Sequence, residues 1–150
     1  MYPQLAPHLE RSPFIRQAVE ALASGQRGWL LHGLNASAKA VLAAHAFTRL
    51  GRSVVFVSAD DKTAEDYLED LQLLVGRENA CLLPDFEVLP YEERSPHYTI
   101  RAQRIEALAR AVEGRPQVFS VPLRSLLRRI VPRIPTGCDA RRRTPPSPED

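Results

Sequence analysis

The chain has 150 residues, 44% of them hydrophobic, and a formal net charge of +2. That is enough for one modest core, and no apolar stretch approaches the roughly 20 residues that span a bilayer, so a single soluble domain is expected. The charge is split: residues 1–114 carry 12 Lys/Arg against 15 Asp/Glu, whereas residues 115–150 carry 8 Arg against 3 acids.

The start, Met1-Tyr-Pro-Gln-Leu, has neither the basic beginning nor the apolar core of an export signal. Cys81 and Cys138 stand in unlike contexts without C-x-x-C spacing or clustered histidines, which argues against a disulfide framework or a zinc site. The expectation is a cytoplasmic protein without metal.

Along the chain, Ser12-Pro13 supplies a cap residue and a first-turn proline. Ile15, Ala18, Val19 and Leu22 then recur at helical spacing until Gly25. Trp29-Leu30-Leu31-His32 reads as a short buried strand leading into Gly33-Leu34-Asn35-Ala36-Ser37-Ala38-Lys39-Ala40. A phosphate-binding loop of the form G-x-x-x-x-G-K-[ST] would lie there, with glycines curling backbone N–H groups around phosphate, lysine reaching the outer phosphates and a hydroxyl holding magnesium. Gly33 and Lys39 are kept, but Ala38 and Ala40 replace the second glycine and the hydroxyl, and Ser37 precedes the lysine by two residues. The reading is a phosphate-loop architecture that has lost its nucleotide, with no cofactor expected. Gly33, Ser37 and Lys39 are the fallback nucleotide contacts, and an ordinary helix N-terminus is the alternative.

Val41, Leu42, His45, Ala46 and Leu50 continue as a helix ending at Gly51. His32 and His45, beside apolar runs, read as packed or capping side chains rather than ligands. Ser53–Ser58 is β-branched and aromatic without alternation, as for a strand of a parallel sheet buried on both faces. After the polar turn Asp60–Thr63, with Thr63 as the expected N-cap, Ala64, Tyr67, Leu68, Leu71 and Leu74 share one helix face that Gly76 ends. The acids Glu65, Asp66, Glu69 and Asp70 fall on the solvent side, a dipole and solubility arrangement rather than an acid/base pair.

Asn79–Leu83 is the next strand, and the proline-rich residues 84–97 read as a long ordered loop. Thr99 is the expected cap of a helix whose Ile105, Leu108, Ala109 and Val112 share a face, with Gly114 as its stop. Gln117–Val121 forms a fourth strand, and Pro122 starts a last helix through Leu123, Leu126, Leu127 and Ile130. Residues 1–131 are thus expected to form an α/β domain with a parallel sheet, like that of a P-loop NTPase with a degenerate phosphate loop. Residues 132–150, rich in Arg and Pro, read as a disordered tail. The arginines Arg128-Arg129, Arg133 and Arg141-Arg142-Arg143 are either a solvated run or a phosphate-contacting patch, with no aromatic between them for base stacking.

The segment LLPDFEVLPYEERSPHYTIRAQRIEALARAV (82–112), followed by VFSVPLRSLLRRI (118–130), resembles the N-terminal region of the bacterial transcription-repair coupling factors (Mfd). The resemblance lies in the proline-aromatic-acid phrase after a strand, the LPYE-x-x-SP stretch, the Gln103-Arg104 pair and the leucine-rich turn after the last strand. Upstream, GLNASAKA is similar in position to the intact ATP loop of the excision-repair helicase subunit UvrB, and SADDKTAEDYLEDL resembles its next helicase motif.

The resemblance implies a non-catalytic scaffolding module that works beside other modules of an Mfd-like protein, with the ATP-driven DNA translocase motor lying outside these residues. It also implies UvrA as a partner, recruited through a second module that is not recognisable here, so no residue is assigned to that contact. DNA contact by a UvrB-like aromatic clamp is not expected: the corresponding segment holds only Phe86, Tyr91 and Tyr98, and these are expected to pack against the domain. The composition change near Ile134 resembles a truncated or frame-shifted start of such a protein. The enzyme alternative, a nucleotide-binding helicase fragment, has Asp60 and Asp61 as its nearest magnesium-binding acids.

Overall fold

The computed structural model describes residues 2–25, 28–86 and 97–128. The expected tail and most of the expected 84–97 loop, with Tyr91, lie outside them. Two helices come first, α1 (Tyr2–Arg11) and α2 (Pro13–Ala23), followed by α3 (Ala36–Leu50), β1 (Val54–Ser58), α4 (Asp61–Val75), β2 (Ala80–Leu82), α5 (Tyr98–Glu113), β3 (Val118–Pro122) and the short α6 (Leu123–Leu126). Among the described residues the sheet has three parallel strands in the order β1-β3-β2.

Val54 N–H donates to Gln117 O at 2.9 Å, Val118 N–H to Asn79 O at 2.7 Å, and Leu83 N–H to Ser120 O at 3.0 Å. The central strand therefore bonds on both edges, and the β2 ladder reaches both ends of the expected 79–83 span. One sheet face packs on α3 and α4 through Ala40, Ala43, Ala44, Tyr67, Leu71 and Val118, with Phe56 and Tyr67 rings 4.5 Å apart. The other face packs on α5 through Leu83, Ala107, Phe119 and Val121. Both faces are covered as expected at β3, but α5 leaves Val55 and Val57 of β1 bare, 55% and 46% exposed.

Several expectations are corrected. Trp29–His32 forms no strand: residues 28–32 have no regular structure and Leu30 is 79% exposed. An apolar run becomes a strand only when a neighbour takes its N–H and C=O groups, and that pairing is not local information. Helix α1 is additional to the expected elements, and it carries Pro7 inside it, where proline removes an interior helix bond. It is held by packing on α2 and α4.

The caps also shift. Asp60, not Thr63, caps α4, accepting from Thr63 N–H at 2.8 Å and from Thr63 Oγ1 at 2.9 Å. These two bonds hold the Asp60 carboxyl below its ordinary value. His97, not Thr99, caps α5, with Nδ1 accepting from Thr99 N–H at 3.4 Å, and Pro122 ends β3 and caps α6 instead of opening it. The inward face of α5 is Arg104, Ala107 and Leu108, which leaves Ile105 67% exposed and Val112 exposed with it. Turned inward, Arg104 donates to Pro84 O and Ser125 Oγ at the sheet end.

His45 is buried, as expected of a packed histidine, with Tyr2 Oη 2.8 Å from its Nδ1, while His32 is exposed. Burial, helped by the nearby Arg49 charge, pushes the His45 pKa below its ordinary value. An imidazole depressed in the folded state stays neutral while the unfolded one takes up a proton. Stability from His45 is therefore present above pH about 6.5 and is lost as pH falls from there through the lower folded value. In thermal melts, the drop in midpoint between pH 7 and pH 5 should be smaller in His45→Gln than in the parent chain. Equal slopes would show that the imidazole titrates freely.

Candidate functional site

The segment with phosphate-loop spacing lies at the start of α3. Gly33 has φ +78°, the left-handed region that favours glycine. Two residues on, Asn35 caps the helix, its Oδ1 accepting from Ala38 N–H at 2.8 Å, and Lys39 N–H donates to Asn35 O at 3.1 Å. Ala38 therefore lies inside the helix and needs no left-handed backbone. Ser37 and Lys39 are exposed in the first helical turns, whereas Ala40 is 0% exposed and packs in the core beside Ala44 and Val118.

Gly33, Ser37 and Lys39 are thus brought to one helix N-terminus, but the position where a phosphate loop places its magnesium hydroxyl points into the core. The chain's own Asn35 takes one of the amides an anion would use. Lys39 lines a cavity of about 530 Å3 together with Trp29, Leu31, Leu34, Val54 and Phe56, an apolar setting around its stem.

A second constellation forms at the carboxyl ends of the strands, where open α/β sheets hold ligands. Arg104, on α5, is 4% exposed. Its Nη1 donates to Pro84 O and to Ser125 Oγ, Ser125 Oγ in turn donates to Pro84 O at 3.1 Å, and the guanidinium lies 4.5 Å over the Phe86 ring. Buried Asp85 accepts from Arg128 Nε at 3.0 Å and donates its backbone N–H to Asp61 Oδ1 at 3.3 Å. Burial lowers the Arg104 pKa and the Asp85 charge opposes the shift.

The crevice that would accept a ligand is filled by the chain's own side chains, which tie α4, the 84–86 turn, α5 and α6 together. Of the two acids weighed as magnesium ligands, Asp60 is a helix cap and Asp61 holds the Asp85 amide.

Phe86 packs as expected of the loop aromatics, but Tyr98, the first residue of α5, is 77% exposed. Asp85 and Ser125 were missed, and Arg104 stood out only through the Gln103-Arg104 pair. Their one signal in the sequence is an arginine inside an otherwise helical apolar pattern. Cys81 is half-buried, and burial raises its thiol pKa, an inert setting. Of the arginine run, Arg128 belongs to this cluster and Arg129, Arg133 and Arg141 to Arg143 lie outside the described residues.

No family model matches the chain, and no solved structure matches it. Two curated proteins do, both transcription-repair-coupling factors. The one from Haemophilus influenzae is 33% identical over 78 residues, 52% of this chain and 7% of that protein. The one from Myxococcus xanthus is 31% identical over 123 residues, 77% of this chain and 10% of that protein. The chain spans about a tenth or less of the length of the relatives it matches, and it contains a region related to transcription-repair-coupling factors.

Proposed function

We propose that this chain, which carries a region related to transcription-repair-coupling factors, is a non-catalytic structural and interaction piece of such a repair factor, built on a P-loop-like α/β domain and acting in the cytoplasm. The observation that carries the reading is the closed start of α3: Asn35 Oδ1 holds the Ala38 amide and Ala40 is buried where a magnesium-binding hydroxyl would stand. The filled crevice at Arg104 adds to it, since the usual ligand edge of the sheet is occupied by internal hydrogen bonds. The piece would contribute contact surface to neighbouring modules of a larger repair protein, with UvrA as a partner reached through a further module. Among the described residues no helix is long and apolar enough to cross a membrane.

A second reading, residual nucleotide binding, is favoured by the left-handed Gly33 and the exposed Lys39 at the same helix start. Calorimetric titration of magnesium-ATP into the purified chain separates the two. The inert reading expects no heat of binding, and hydrolysis no faster than that of Lys39→Ala. Micromolar binding that Lys39→Ala abolishes would overturn it and establish the second.

A further inference from the structure

Helix α1 buries none of its own residues, and neither hydrophobic cluster of the core includes one. It packs on α2 and α4, and two polar contacts tie it to α3. Tyr2 Oη stands 2.8 Å from His45 Nδ1, and Arg49 Nη1 pairs with Glu10 Oε1 at 3.4 Å. Both side chains of that ion pair are more than half exposed, so it contributes little. His45 is an anchor of another kind: it is 2% exposed, on a helix whose other buried residues are alanines and a leucine.

We propose that α1 is a latch over His45, closed while the imidazole is neutral and released when it takes up a proton. A neutral imidazole accepts from the Tyr2 hydroxyl, and an imidazolium can donate to the same oxygen, so proton uptake does not by itself break that bond. The cost lies in the buried charge. A cavity of about 280 Å3 between α1, α2 and α3 gathers the charges that face the ring: Glu10 from α1, Arg16 and Glu20 from α2, and Arg49 from α3 itself. Helix α4 meets α3 through Tyr67 and Leu71, and none of its charged residues lines the cavity. The acids and arginines there balance, and burial together with Arg49 outweighs the pull of Glu10 on a proton. Moving α1 aside returns the ring to water and leaves both core clusters in place. Below an imidazole's ordinary value of about 6.5, the open form binds the proton that the closed form refuses. Each further pH unit therefore multiplies the open population by up to about tenfold, until the closed form's lower value is reached. A detached α1 does not stay helical, because ten residues with Pro7 inside are too few to hold a helix alone in water.

Backbone chemical shifts of the full chain, followed by NMR between pH 7 and pH 5, test the latch. The Cα shifts of α1 are expected to move toward coil values as pH falls below about 6.5, while those of α4 and β3 hold. In His45→Gln, which stays neutral, α1 should remain helical through the same range. Tyr2→Phe loses the hydroxyl but keeps His45, which weakens the closed form and should move the release to higher pH. His8→Gln, which removes the exposed imidazole of α1 itself, should leave the release where it is. An α1 that is still helical at pH 5, or already coil at pH 7, would overturn the proposal. So would α1 and α4 shifts lost together, which is unfolding of the whole domain, or an acid release of α1 that survives in His45→Gln.

Discussion

Arg104→Ala is expected to lower the free energy of unfolding by about 3 kcal/mol or more, enough to leave a domain of this size marginal or unfolded. The guanidinium is buried and donates to both Pro84 O and Ser125 Oγ while lying over Phe86. Truncation removes two charge-assisted hydrogen bonds and a cation–π contact. It also leaves buried Asp85 with less compensating charge, and an uncompensated buried charge is the costly part. Arg128, on the exposed side of the cluster, still reaches Asp85 and limits the loss.

Arg104→Lys should recover only part of it, because an ammonium cannot spread over the ring and two acceptors as the planar fork does. Urea unfolding of the three proteins at neutral pH measures the difference. A loss below about 1 kcal/mol for Arg104→Ala would mean that water replaces the side chain at no great cost.

Leu71→Ala should cost about 3 kcal/mol, mainly as a cavity that the surroundings cannot close. Leu71 is fully buried where α4 meets α3 and the sheet, in one cluster with Ala43, Ala44, Tyr67 and Val118. Alanines on the facing helix allow close helix approach but have no side chain to swing into the vacated space, so relaxation is poor. Leu71→Met, nearly volume-conserving, should cost less than about 1.5 kcal/mol. The same urea experiment reads both. If the two variants were equal, the site would be collapsing around the smaller side chain and the core would be plastic.

These two effects sit on either side of what could be read before folding. Leu71 lies on the helix face marked by Ala64, Tyr67, Leu68 and Leu74, and the structure buries that face as its spacing requires. Helices α2 to α5 and strands β1, β2 and β3 also follow from periodicity, β-branched runs and glycine stops, because each of those signals is local to one or two turns. Asp60 and His97 took caps expected three and two residues later, at Thr63 and Thr99, since several neighbouring polar residues can satisfy the same orphan amides, and Pro122 precedes the helix it was expected to open. The clustering of Gly33, Ser37 and Lys39 was legible from spacing, while the occupation of their helix start by Asn35 was not marked by the motif.

The sequence by itself determined an α/β chain with parallel strands and the buried faces of α3 and α4, because these depend on residue type and short-range period. Only the tertiary structure decided that Trp29–His32 forms no strand, that α5 turns Arg104 inward and Ile105 outward, and that β1 stands at the end of the strand order among the described residues. Each of these outcomes is set by what lies across from a residue in space. Pairing, burial of a charge and coverage of a sheet face depend on partners that are distant in the chain, and no local pattern encodes where those partners come to rest.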